Sequence, residues 1–130
     1  MEKYAWLEQY LLGKPGASKD YKEEWEWHRY LVASKMFAAL MRPSDRYDAL
    51  YAGKDLLNLK CDPLAADALR NEHPEVMPGF YSDRRTWNSI DLGGNLPEEA
   101  LKQMIDDSYG LVFGKLTKKL QKEIAGYPLK

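Results

Sequence analysis

The residues Arg84-Arg85-Thr86-Trp87-Asn88 set two guanidinium groups, an indole and a carboxamide within one short stretch. Guanidinium forks bind phosphate and carboxylate bidentately, and a carboxamide can exchange paired hydrogen bonds with a base edge. Lys60 lies earlier, in Asn58-Leu59-Lys60-Cys61-Asp62-Pro63, and Lys118-Lys119 follow near the C-terminus. Together these cations and Asn88 could hold a polyanion. The same arginines could instead pair with acidic neighbours such as Asp83 or Asp91, and Asn88 could satisfy strand backbone groups. Those two readings are evenly matched on the residues alone.

Other candidate chemistry is thin. His28 and His73 are far apart, and neither has a metal-ligating partner at i+4. His73 suits the last turn of a helix, where a cation complements the dipole. Cys61 stands just before a helix start, which can lower a thiol pKa, but no second cysteine or histidine is near it in sequence. Asp106 and Asp107 are adjacent, so on a helix they diverge by about 100° and do not share one site. Gly93-Gly94 lacks the Lys-Ser/Thr that completes a phosphate loop. No serine stands in an elbow-like context. The expectation is a non-enzymatic protein with no catalytic residue, metal or cofactor.

Composition narrows the class. A chain of 130 residues, 45% hydrophobic and 12% aromatic, suits one domain over 1–130 with an ordinary core. The single cysteine excludes an internal disulfide and suits a reducing cytoplasm. The N-terminus lacks the apolar run of a signal peptide, and no stretch approaches the ~20 apolar residues of a membrane helix. A cytoplasmic protein with no membrane partner is expected. Nineteen basic against 20 acidic residues leave a net charge of −1, whereas a protein that blankets phosphates is usually basic. Acids at 98, 99, 106 and 107 followed by lysines at 115, 118, 119 and 122 also match what a helix dipole favours.

The positioning elements follow from periodicity. Residues 2–12 read as a helix through Tyr4, Leu7 and Leu11, ended at Gly13 and Pro15. Residues 25–32 alternate, with Trp25, Trp27 and Leu31 on one face and Glu26, His28 and Tyr30 on the other. Arg29 interrupts the apolar face, which suggests a place near an edge. Ala33-Ser34 then makes a poor two-residue turn into a strand over 36–41. Residues 43–53 read as a surface loop and 55–60 as a third strand with Leu57 and Leu59 inward. Asp62 caps a helix opened by Pro63, with Leu64, Ala65, Ala68 and Leu69 as its buried face. Strands over 76–81 and 87–92 precede a long helix over 97–116 with Leu101, Met104, Ile105, Ser108, Val112 and Leu116 on one stripe. Trp87 is expected inward. Thr117 caps a short last helix. The order α-β-β-β-α-β-β-α predicts an α+β fold: two layers, an antiparallel sheet of about five strands with helices packed on one face.

Several segments, in order, resemble the MmcQ/YjbR family of small bacterial proteins. They are Lys14-Pro15-Gly16-Ala17, Lys35-Met36-Phe37-Ala38, Asn58 to Pro63, Gly79 to Ile90, Asp107-Ser108-Tyr109 and Leu116-Thr117-Lys118-Lys119. Gly79 to Ile90 is similar to the family segment G-[YF]-x-x-[ND]-[KR]-[KR]-H-W-N-[ST]-[VI]. Each piece is weak alone and the ordered set is specific. The resemblance covers nearly the whole chain and implies a CyaY-like two-layer fold. The histidine usual before the tryptophan is Thr86 here, and Tyr81 stands where histidine is frequent. Proton transfer or metal binding through an imidazole at those places loses its residue in this chain.

Family members are commonly labelled DNA-binding, and the resemblance implies that activity here. Double-stranded DNA would meet Lys60, Arg84, Arg85, Lys118 and Lys119 through phosphates and Asn88 through a polar contact, with weak sequence preference. The alternative is a protein-interaction or chaperone-like adaptor whose partner docks on an open sheet face carrying Trp25, Trp27 and Tyr30. Near-neutral charge favours the adaptor, and the family label favours DNA. Metal binding by analogy with frataxin-like folds needs a row of acids on the first helix, where only Glu2 and Glu8 stand.

Overall fold

A computed structural model describes residues 4–125. The order is α1 (Leu7–Leu12), β1 (Ala17–Lys22), β2 (Trp27–Val32), β3 (Lys35–Met41), β4 (Leu56–Lys60), α2 (Pro63–Glu72), β5 (Val76–Pro78), β6 (Trp87–Asp91), α3 (Glu98–Gly114) and α4 (Lys118–Ala125). One antiparallel sheet runs β1-β2-β3-β4-β6-β5. The fold is therefore the expected α+β one, with a sixth strand. The first helix is shorter than periodicity suggested, and residues 2 and 3 of that expectation, Glu2 among them, lie outside the described residues.

β1 is the strand that periodicity missed. Its sequence, ASKDYK, has no apolar alternation, because all six residues are exposed or only half-buried at the sheet edge. An edge strand pairs on one side only, and charge there discourages pairing with another chain. Arg29 on β2 forks onto Asp20 of β1 through Nε and NH2, at 2.8 and 2.6 Å. β1, not β2, is thus the edge.

β2 and β3 form the expected hairpin. Ala33 and Ser34 both adopt left-handed φ, +50° and +66°, between the paired Val32 and Lys35. A tight two-residue turn of the favoured twist requires positive φ at both places, so the hairpin forms despite residues that resist it.

Two cores flank the sheet. On the helix side, Leu7, Leu11, Tyr30, Val32, Phe37, Leu57, Leu59, Ile90, Leu101, Ile105 and Val112 pack together. On the other side Trp27, Ala39, Met41 and Leu56 meet Tyr51 and Phe80, which come from the segments 42–55 and 79–86. All four helices contribute to the first side, through residues such as Leu7, Leu69, Ile105 and Ile124. β4 is consequently buried on both faces, Asn58 included.

That second layer corrects two expectations. The sheet face assigned to a docking partner is covered: Trp27 is buried under the loops, and Tyr30 lies on the helix side with its hydroxyl donating to Glu8 at 2.9 Å. Of the three aromatics only Trp25 is exposed. The 43–53 loop is also more than surface. Arg42 forks onto Asp55 at its base, and Tyr51 donates to the Pro78 carbonyl at 2.7 Å.

α2 differs as well. Asp62 caps it as expected, accepting from the Leu64 amide at 3.0 Å. Its inward residue, however, is Ala66, with Leu69 half-buried, while Ala65, Ala68 and especially Leu64 face outward. The helix lies near the short edge strand β5, so only a narrow line of it is covered. The α3 stripe is buried from Leu101 to Val112, with Leu116 half-covered at its end. Thr117 Oγ1 accepts from the Leu120 amide at 3.1 Å and starts α4. No helix among the described residues is long and apolar enough to cross a membrane.

Candidate nucleic-acid interface and the pocket behind it

The loop between β5 and β6 carries Arg84 and Arg85. It leaves β5 at Gly79, where an added Cβ would lie 2.8 Å from the Trp87 Cβ, so only glycine fits. Phe80 is then fastened from below: its amide donates to Ser89 Oγ at 2.8 Å and its carbonyl accepts from Asn58 Nδ2 at 3.0 Å. Ser89 Oγ in turn donates to Asn58 Oδ1, which completes a buried network. Tyr81 takes a left-handed φ of +57° and points an exposed ring outward. Asp83 closes the turn, its carboxylate accepting from the Arg85 amide at 3.0 Å and its carbonyl from the Trp87 amide at 2.9 Å.

Arg84 and Arg85 are both exposed at the tip of this loop. Arg85 Nε lies 3.6 Å from Asp83 Oδ1, a loose pair between open side chains. The hydrogen bond from the Arg85 amide, aided by the Arg85 and Lys60 charges, holds the Asp83 carboxyl below its ordinary range. Arg84 makes no ion pair among the described residues. Lys60 pairs with Trp87 across the strands and holds its Nζ 5.4 Å from the centre of the indole. Trp87 is half-buried on the loop side rather than fully inward.

Asn88 does not belong to that surface. It is 3% exposed and lines a cavity on the helix side. Its Oδ1 accepts from Arg70 Nε at 2.7 Å. The same guanidinium donates through NH2 to the Arg84 carbonyl and, at 3.3 Å, to the Trp87 carbonyl. Arg70 therefore clamps the end of α2 to the root of the arginine loop. Sequence reading missed it. The available signal was spacing: Arg70 stands four residues after Ala66, the inward residue of α2, so the two share a helix face.

The remaining cations stand apart. Lys118 and Lys119 are exposed at the start of α4. That helix reaches the sheet through Ile124, which packs against Gly16 at the head of β1. β1 and β6 are four strand spacings apart in the sheet, roughly 19 Å at the usual separation. The structure brings Lys60, Arg84 and Arg85 together and anchors α4 toward the opposite edge.

The cavity behind Asn88 has a volume of about 370 Å³. Leu59 and Ile90 of the sheet, Leu69 of α2, and Met104 and Leu111 of α3 make it apolar, and Cys61, Asp62 and Asp107 stand among its lining residues. Burial pushes the Cys61 thiol up, and the charges of Asp107 and Asp62 push it further. That is the reverse of an activated nucleophile. Among the described residues no cluster of histidine, cysteine and carboxylates could hold a metal ion.

The same fold is found in solved structures, and the sequence has curated relatives. The Escherichia coli (strain K12) protein YjbR is 28% identical over 103 residues, 79% of this chain and 80% of its own length. YyaQ of Bacillus subtilis (strain 168) is 40% identical over 57 residues, 44% of this chain and 48% of that one. Among solved structures, the Deinococcus radiodurans protein DR2400 superposes with a TM-score of 0.75 at 28% identity, over 92% of this chain and 85% of that one. A Pseudomonas syringae protein at 23% identity shares the fold, with a TM-score of 0.66 over 79% of this chain and 92% of its own. The sequence profile of the YjbR family matches residues 12–111, which span β1 to β6 and most of α3, and the chain belongs to that family.

Proposed function

We propose that this chain is a cytoplasmic, non-enzymatic DNA-binding protein that holds the duplex backbone through the arginine loop. The observation that carries the reading is the group Lys60, Arg84 and Arg85. Lys60 and Arg84 make no ion pair among the described residues, Arg85 makes only a loose one, and the loop beneath them is pinned by Arg70 and Asn58. A rigid base spares the ordering cost of a mobile loop on binding. Lys118 and Lys119 would contact phosphates from α4. Asn88, buried and engaged by Arg70, supports the loop from behind and does not read a base. With Asn88 withdrawn, the group offers cations alone, so the binding rests on phosphates and has weak sequence preference.

Each phosphate contact contributes a slope of about −0.9 in log K against log salt, so five cations set a ceiling near −4.5. Fluorescence anisotropy with short duplexes, from low to physiological salt, tests this. Changing Arg84 and Arg85 together to Ala should weaken binding to every sequence and flatten the slope by roughly two units. Circular dichroism checks that the variant is folded. Absence of wild-type binding at low salt sinks the reading.

A protein partner is the second reading, and the exposed aromatics of the loop layer favour it. Trp25, Tyr47 and Tyr81 border a cleft that carries Glu23, Glu24 and Glu26 together with Arg42 and Arg46, so a partner segment of mixed charge would suit it. Absence of wild-type DNA binding at low salt leaves this surface as the functional one.

A further inference from the structure

Asn88 carries an unmet hydrogen-bond donor. Arginine has only donors, so its contact with the carboxamide identifies Oδ1 as the atom facing Arg70 and fixes Nδ2 on the other side. Nδ2 is buried and has no partner among the described residues. A buried amide left unpaired is costly, and nearly all such groups in native proteins are satisfied. Arg70 also polarises the amide from behind, which strengthens its N–H as a donor.

A second observation concerns α3. Gly110 lies inside this helix and lines the same cavity. A Cβ built there meets nothing within 4 Å, and its backbone does not call for glycine. Glycine in a helix interior is unfavourable relative to alanine, so neither packing nor backbone conformation explains it. Gly110 is exposed, so a side chain there has room to grow beside the cavity.

We propose that this cavity binds a small flat ligand with a carbonyl acceptor at its inner end and an amine or similar donor at its outer end. The volume of about 370 Å³ falls within the usual range for small-molecule sites. Leu59, Leu69, Ile90 and Leu111 supply the flat apolar walls. Asn88 is part of the wall, with its polarised amide buried. Asp62, which accepts from the Leu64 amide, and Asp107, which accepts from Gln103 Nε2 at 2.9 Å, line the rest of the cavity as exposed carboxylates beside Lys60, and Asp106 is engaged by both Tyr10 and Lys14. The carboxylates outnumber the one ammonium, and each keeps a second oxygen free to accept, so a donor belongs on that side. Nδ2 has almost no exposed surface, so seating the carbonyl requires neighbouring side chains to shift. Met104, unbranched and lining the cavity, is suited to give way.

Three probes and two variants test the site on the full chain. The probes are 4-(aminomethyl)benzamide, which has both ends, benzamide, which lacks the amine, and 4-methylbenzylamine, which lacks the carbonyl. Titrations followed by ¹H–¹⁵N spectra should show 4-(aminomethyl)benzamide binding about tenfold tighter than 4-methylbenzylamine, the effect of one buried hydrogen bond. The Asn88 side-chain amide signals should move with the two benzamides only. Asn88→Asp keeps an acceptor for Arg70 and removes the donor, so it should erase the preference for the carbonyl. Gly110→Leu should fill the cavity and abolish binding of all three probes while circular dichroism stays unchanged. If Asn88→Asp fails to fold, Gly110→Leu and the amide signals decide. Equal affinity for the two amines, no probe binding at millimolar concentration, or wild-type binding by Gly110→Leu would each overturn the proposal.

Discussion

Arg70 Nε donates to Asn88 Oδ1 at 2.7 Å, and the same guanidinium reaches the carbonyls of Arg84 and Trp87. One side chain at the end of α2 thus ties together the helix, β6 and the loop that displays the candidate phosphate contacts. Arg70→Ala leaves a buried amide oxygen and the Arg84 carbonyl without this donor, while the Trp87 carbonyl keeps the Gly79 amide at 2.9 Å. Hydrogen bonds to charged groups contribute about 1.5–3 kcal/mol each on removal, unevenly when they share one group. A loss of about 2–3 kcal/mol in urea unfolding is expected, together with faster amide exchange of Thr86 and Trp87.

The β2–β3 turn is a place where stability can be added. Ala33 and Ser34 both sit at left-handed φ, a conformation that costs L-residues with a Cβ about 1–2 kcal/mol each. Replacing the pair with Asn-Gly, the residues this turn prefers, should stabilise the protein by about 1 kcal/mol after the entropy of the added glycine. A higher urea midpoint with an unchanged slope is the expected readout.

Ile105 and Leu64 separate buried from exposed leucine-sized side chains on two helices. Ile105 is fully buried in the α3 stripe, whereas Leu64 is 86% exposed at the start of α2. Ile105→Ala should cost about 2–5 kcal/mol. Leu64→Ala should stay within about 0.5 kcal/mol. Paired chemical denaturation curves compare the two directly.

Asp106 joins α3 to the turn after α1. Burial alone would raise its carboxyl, but hydrogen bonds from Lys14 and Tyr10 outweigh it and hold the group below its ordinary value. A depressed folded pKa contributes stability above the unfolded value, near ~3.9, and that contribution disappears as pH falls through the folded pKa. The carboxylate is 42% exposed, so solvent screening limits the effect to about 0.5–1 kcal/mol. Asp106→Asn should therefore be less stable than wild type by that amount at pH 7. The two stability curves should converge as pH drops below about 4.

Where a local pattern is itself the physical cause, the amino-acid sequence was enough. The Asp62-Pro63 cap works through the next two residues, and the Leu101-to-Val112 stripe follows from helical period alone. The apolar strands belong to the same class, whereas the place of β6 between β4 and β5 came from tertiary pairing. β1 was invisible because a polar edge strand is held by backbone pairing with β2, which leaves no mark on side-chain type. The burial of α2 depended on its place beside the short edge strand, which no helical wheel contains.

The site divides in the same way. That Arg84 and Arg85 would be exposed at a turn was legible, because glycine, aspartate and two arginines between strands leave few other outcomes. That Asn88 turns away from them, toward Arg70 and a cavity, was decided by the pairing of β4 with β6 and by which face α2 and α3 cover. Adjacent strand residues point to opposite faces, so Trp87 and Asn88 were bound to part company. Only the tertiary structure could say which of them would meet the loops and which the helices.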